Sequence, residues 1–196
     1  MPTDTQGFES LSRGGRGVVT IGRLSAQKRI GDLIDGMRVL SDRGTAVPVT
    51  IIGDGVERES LEARARESGV DARFVGRVPP AELPKYLDDM DVCVMPAERE
   101  GLGLAAIEAL VAGVPVVVTE DGGGLLDVVE EGACGKVVPA HDPVALAQAV
   151  KGLLGNPMAR EAAATAGKRW RAALDPDVVA AAFEQIYSSV VRRGGS

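Results

Sequence analysis

Six short apolar runs recur along the chain: VVTI from Val18, VPVTII from Val47, ARFV from Ala72, DVCVMP from Asp91, PVVV from Pro115 and KVVP from Lys136. Each is followed by a longer segment of helical period. That rhythm is the signature of repeated βαβ units. The runs are continuous rather than alternating, as parallel strands covered on both faces by crossover helices require. The expected fold is a Rossmann-like, doubly wound α/β sheet of about six parallel strands.

Helical segments are expected over Ile30–Arg43, Val56–Ser68, Ala81–Asp88, Gly103–Ala112, Leu125–Glu131, Val144–Leu154, Met158–Leu174 and Asp177–Arg192. Asp142 before Pro143 reads as an N-cap with proline at the first helical position, and Gly69 as a C-terminal stop. Residues 1–17 are polar, glycine-rich and unpatterned, and read as linker. Residues 18–175 then form the sheet domain and 176–196 a terminal helix and tail, whose Val178, Val179, Ala182, Phe183, Ile186, Tyr187 and Val190 recur at helical spacing.

Composition narrows the function classes. With 45% hydrophobic residues in 196, the chain has enough apolar surface for one core. Its 22 basic and 28 acidic side chains leave a net charge of -6, and no basic block is long enough to track a phosphate backbone, so nucleic acid is not an expected partner. Cys93 and Cys134 have no second ligand nearby, which suits a reducing cytoplasm better than a disulfide framework or a zinc site. No run of about 18 apolar residues appears.

In sheets of this class ligands bind beyond the carboxyl ends of the strands. The residues there are Gly22-Arg23, Gly53-Asp54-Gly55, Gly76-Arg77, Pro96 to Gly101 and Thr119 to Gly124. Glu108 stands out because the surrounding LAAIEALVA is apolar on every side. The pattern predicts a buried carboxylate, which must find donors in the protein or in a ligand. Glu100 lies eight positions upstream, and Gly101 and Gly103 lead into the same helix. Glycines there let backbone N–H groups approach a ligand, and a helix N-terminus suits an anion.

With the helix starting near Gly103, Glu108 lies roughly 8 Å along its axis, so two carboxylates can grip separated polyol groups of an extended ligand. In GRLSAQKR, Arg23 and Lys28 flank a loop after the first strand. They read either as a solvated basic turn or, on the same rim as Glu100, as phosphate ligands. Carboxylates for hydroxyls with cations for phosphate describe a nucleotide sugar.

Asp89-Met90-Asp91 has the shape of a metal motif, but Asp91 is expected to end an element. His141, the sole histidine, is expected at the surface. Gly53-Asp54-Gly55 reads as a turn or a ligand loop. Gly122-Gly123-Gly124, between strand and helix, is expected to face a ligand.

Taken in order, GRLSAQK, IIGDG, FVGRVP, DVCVMPAEREGLGLAAIEALVAGVPVV, GGGLLDVVEEGACGKVV and DPVALAQAV resemble the C-terminal, donor-binding domain of the retaining family 4 glycosyltransferases of the GT-B fold. The likeness runs from Val18 to Tyr187. It implies that Glu100 holds donor-sugar hydroxyls, Glu108 the ribose diol, and Arg23 with Lys28 the diphosphate. Backbone at Gly101, Leu102, Gly103 and Leu104 would face sugar and phosphate, and backbone near Arg77 and Val78 the base, with Gly22 and Gly53 in the matching glycine loops. The expected donor is a nucleotide diphosphate sugar of UDP or GDP type, with no cofactor and no metal.

The chain departs from the family pattern at Leu102, where phenylalanine is usual, at Gln27, usually an acid, and at Asp127, usually a glutamate. Asp4, Thr5 and Phe8 resemble the connector between the two halves of such enzymes. The chain is therefore expected to be the second half of a longer protein, partnered by an N-terminal acceptor-binding domain through which the whole enzyme meets a membrane peripherally. Two rivals are a non-catalytic nucleotide-sugar binding module and another enzyme on the same fold, such as an epimerase or a phosphorylase.

Overall fold

The computed structural model describes residues 17–129 and 133–193, the last nine of these by backbone alone. The expected connector residues Asp4, Thr5 and Phe8 lie outside the described residues. Six strands form one parallel sheet: β1 (Val18–Ile21), β2 (Val49–Ile52), β3 (Ala72–Gly76), β4 (Val92–Met95), β5 (Val116–Thr119) and β6 (Gly135–Val138). Their spatial order is β3-β2-β1-β4-β5-β6. The order reverses between β1 and β4, which is where a doubly wound sheet opens a crevice.

Burial on both faces is what made the apolar runs continuous. Along β4, Val92 and Val94 pack into one core with Leu33, Ile34, Met37 and Leu40 of α1 (Ile30–Asp42) and Leu146 and Val150 of α6 (Pro143–Leu153). Cys93 and Met95, on the opposite face, pack with Ala106 and Leu110 of α4 (Leu104–Val111) and with Ala163 and Ala166 of α7 (Pro157–Ala173). Successive strand residues point to opposite faces, so each core takes every second one. The remaining helices are α2 (Arg58–Glu67), α3 (Leu83–Leu87), α5 (Leu125–Val128) and α8 (Pro176–Arg193).

Several expected helices are shorter than their patterns, among them the one expected over Leu125–Glu131, which ends at Val128. The segment expected over Val56–Ser68 begins at Arg58, after a loop tied to Leu24: Glu57 N–H donates to Leu24 O at 3.2 Å and Leu24 N–H to Asp54 O at 3.1 Å. The segment expected over Ala81–Asp88 splits into a 3-10 turn at Pro80–Glu82 and the five-residue α3. Pro84 has no N–H to continue a helical ladder back to residue 80.

Other ends fall where their residue chemistry places them. The Asp142 carboxylate accepts from the N–H groups of Val144 and Ala145 at 3.0 and 2.8 Å, capping α6. Asp91 is 8% exposed and accepts the Gly17 N–H at 3.1 Å, while its own N–H donates to Gly17 O at 2.9 Å. A buried carboxylate spent in this reciprocal pair pins the chain as it enters β1, so Asp91 is structural. Among the described residues no helix is long and apolar enough to cross a membrane.

Candidate functional site

At the carboxyl end of β1 the chain runs through Gly22 and Arg23 into a 3-10 turn at Ala26–Lys28 before α1 begins. The turn brings the Lys28 ammonium back over Gly22, where a Cβ would lie 3.4 Å from Lys28 Cε. It also places that ammonium against Glu100 Oε2 beyond β4, an ion pair whose side chains are 16% and 22% exposed. Two residues assigned to phosphate and to sugar thus stand together on one rim. Arg23 is exposed beside them.

Arg29 follows in a left-handed backbone conformation, φ 47 and ψ 39. Its Nη2 donates to Glu98 Oε2 at 2.7 Å and to Asp121 Oδ2 at 2.5 Å. The guanidinium holds both carboxyls below the usual carboxylate range, and the Asp121 bond in turn raises Arg29. Gln27 supports the same loop: its Nε2 donates to Glu98 O at 3.0 Å, and Glu98 N–H donates to Gln27 O at 3.0 Å. The sequence reading missed Arg29, Glu98 and Asp121. The available signal was one arginine and two acids, each just past the carboxyl end of a different strand.

The Glu98–Gly101 loop is tied equally closely to the loop after β5. Arg99 N–H donates to Asp121 O at 2.8 Å, Glu100 N–H to Gly122 O at 3.1 Å and Gly124 N–H to Glu100 O at 2.8 Å. A Cβ on Gly124 would fall 1.5 Å from Gly101 O. Within the glycine triplet, Gly122 and Gly124 spend their N–H groups inside the protein, Gly123 is exposed, and the missing side chains let two loops meet. Gly53 makes a similar loop contact. Its N–H donates to Gly76 O at 2.8 Å, and a Cβ there would lie 1.8 Å from Gly22 O, so the bare glycine lets the loops after β1 and β2 pack together.

α4 starts immediately after this loop. Gly103, at φ 68, turns the chain into the helix, and Gly101, Leu102 and Leu104 are exposed around its start. The first N–H groups of a helix have no partner within it, so a donor-rich, electropositive helix end sits next to Lys28 and Glu100.

Glu108 departs from expectation: it is exposed, not buried. Ala106, Ala109 and Leu110 carry the buried side of α4, while Glu108 opens into a cleft of 610 Å³ with Ile107 and Val111, Leu83 and Leu87 of α3, and Arg171 and Leu174 of α7 and its end. The apolar walls desolvate its carboxyl and push it above the ordinary glutamate range. Burial first, and then the Glu108 charge, push the Cys93 thiol up to about 12.

Arg77, just past β3, is exposed, and Val78 is half-buried against the α3–α4 core. His141 is exposed as expected and pairs with Asp32 at 3.1 Å, away from Glu100. Cys93 and Cys134 are both buried, and neither forms a disulfide. Among the described residues no three His, Cys, Asp or Glu side chains converge on a metal position.

The profile of the glycosyl transferases group 1 family matches residues 5–170. The chain belongs to that family. The matched span contains Arg23, Lys28, Arg29, Glu98, Glu100, Glu108 and Asp121. Among curated group 1 relatives, a 2-deoxystreptamine glucosyltransferase of Streptomyces kanamyceticus is 36% identical over 172 residues, 84% of this chain and 43% of that one. A glycogen synthase of Mycobacterium tuberculosis is 34% identical over 175 residues, 88% and 42% of the two chains. The chain therefore spans less than half the length of the curated relatives it matches.

Solved structures agree on the GT-B architecture of this family. Sucrose-phosphate synthase from Thermosynechococcus elongatus superposes with a TM-score of 0.78 at 28% identity, over 90% of this chain and 45% of that one. HepE of Anabaena, solved with UDP and glucose, superposes with a TM-score of 0.77 at 21% identity, over 90% and 49%, a likeness of fold.

Proposed function

We propose that this chain is the donor-binding domain of a retaining glycosyltransferase, taking a sugar from a nucleotide diphosphate sugar of UDP or GDP type. The observation that carries the reading is the Lys28–Glu100 pair at the mouth of α4, with Glu108 on the same helix. A cation for diphosphate, a carboxylate for sugar hydroxyls and a second carboxylate for a ribose diol are offered along one ligand-length track. The Anabaena neighbour, whose fold this chain shares, carries UDP and glucose.

In this reading Lys28 and Arg23 stabilise the negative charge that grows on the departing diphosphate as the bond from the sugar's anomeric carbon breaks. The free N–H groups at the start of α4 add donors to the same oxygens. That is electrostatic catalysis of leaving-group departure, and it needs no metal ion. Glu100 orients the sugar, Glu108 the ribose, and backbone near Arg77 and Val78 the base. The acceptor hydroxyl attacks on the face the leaving group vacates, so configuration is kept. The acceptor is held by the other half of a longer enzyme, a cytoplasmic protein that meets membranes peripherally through that half.

Calorimetric titration of this chain with UDP, GDP, ADP and their common sugar conjugates, without added metal, tests the reading. Selective binding of one nucleotide, lost in Glu108→Ala, supports a preformed donor site and names its base. Equal, unselective affinity of the parent and Glu108→Ala for every ligand refutes it.

A further inference from the structure

The backbone of Arg29 occupies the left-handed region, which residues other than glycine adopt at a cost and which persists where surrounding contacts over-determine it. Its side chain is 9% exposed, so a charge is also taken largely out of water. One forked contact offsets part of both costs: Nη2 reaches Glu98 beyond β4 and Asp121 beyond β5, while Nη1 is buried without a hydrogen-bond partner. A guanidinium suits this place because its planar donors address two carboxylates at once.

The neighbours of these three residues decide what the contact is for. Lys28 directly precedes Arg29, and Glu100 lies two residues after Glu98, so each half of the Lys28–Glu100 pair lies within two residues of one end of the Arg29–Glu98 contact. The fixed loop also receives Gln27 Nε2 at Glu98 O and exchanges backbone bonds with the loop after β5 at Arg99 and Glu100. We propose that Arg29 is a positioning residue: by bridging Glu98 and Asp121 it sets the spacing at which Lys28 and Glu100 act on one diphosphate sugar, without touching that ligand.

The inference rests on the donor-site reading above, and its test separates the two. Arg29→Gly removes the fork and relieves the left-handed backbone, while Arg29→Lys keeps the charge but not the fork. Each is titrated with UDP, GDP, ADP, the matching nucleosides and inorganic pyrophosphate, and melting curves confirm folding. Arg29→Gly is expected to weaken the diphosphate and pyrophosphate by about tenfold, as a misplaced Lys28 loses its charge-assisted contact with phosphate. Nucleoside affinity should not move, Arg29→Lys should fall between, and adding Lys28→Ala to Arg29→Gly should cost less than Lys28→Ala alone. Unchanged diphosphate affinity, or an equal loss for the nucleoside, overturns the positioning role.

If the parent chain binds no nucleotide, the donor-site reading fails, and a ligand-free measurement still judges Arg29. Lys28 acylation, mapped by mass spectrometry against Lys85 and Lys151, should rise in Arg29→Gly as the Lys28–Glu100 pair loosens. Constant Lys28 labelling overturns the proposal. Should Arg29→Gly not fold, Asp121→Asn removes one arm of the fork and carries the same comparisons.

Discussion

Lys28 and Glu100, 72 residues apart in the chain, neutralise each other across the crevice between β1 and β4. A donor cannot use both groups without parting them: the ammonium must exchange a carboxylate for phosphate, and the carboxylate must turn to sugar hydroxyls.

Lys28→Ala should therefore weaken a nucleoside diphosphate by about tenfold, and added salt should shrink the difference. Glu100→Gln should leave the bare diphosphate bound at least as tightly while weakening its sugar conjugate. Titration of both variants with UDP and UDP-glucose, or the equivalent pair for the selected base, checks this. A fall in diphosphate affinity in Glu100→Gln would contradict the division of labour.

The desolvated Glu108 carboxyl makes a prediction about stability. Its folded-state titration lies above its unfolded one, so its contribution is fully present at acid pH and is lost as pH rises through the folded value. Glu108→Gln should raise the melting temperature at pH 8 and leave it nearly unchanged at pH 4. Nucleotide binding should fall in the same variant at pH 8. Thermal melts and titrations at the two pH values read both effects.

Asp121 and Glu98 have the opposite sign. Arg29 depresses both, so the stability they contribute is present above the unfolded carboxylate range and is lost as pH falls through their folded values. Acid unfolding followed by circular dichroism should show a shallower loss for Asp121→Asn than for the parent. The variant should also be the less stable of the two at pH 7.

The reciprocal Asp91–Gly17 pair predicts that Asp91→Ala costs about 1 to 3 kcal/mol, because it strands a buried N–H. Denaturant unfolding measures the loss. Magnesium or manganese should not stabilise the parent, since the Asp91 carboxylate is already committed.

The Cys93 thiol, buried and raised to about 12, should be inert to thiol reagents in the native state and should react only as the domain opens. Labelling followed against denaturant should track global unfolding.

The strands, their parallel pairing class and nearly every helix were legible in the sequence because both-face burial forces continuous apolar runs and helices leave a period. Lys28, Glu100 and the start of α4 were legible because the carboxyl ends of parallel strands share an edge. Glu108 was misread as buried: an apolar helix sequence reports average surroundings, and the open cleft between α3 and α4 is a tertiary gap with no local signal. The loop packing at the glycine triplet was not legible because a missing side chain serves a ligand or a neighbouring loop equally well, and only the fold shows that a Cβ on Gly124 would fall 1.5 Å from Gly101 O. Arg29 escaped notice because its two partners are 69 and 92 positions away.

The reversal of strand order between β1 and β4 has an outcome for fragments of this protein. Lys28 and Arg29 precede the turn between β3 and α3, while Glu98, Glu100, Glu108 and Asp121 follow it. The packing of α6 on α1 crosses the same divide. A cut in the turn between β3 and α3 would leave neither piece with a complete site. Mixed together, the two pieces should recover nucleotide binding only upon complementation, which makes the site a built-in reporter for reassembly of a split domain.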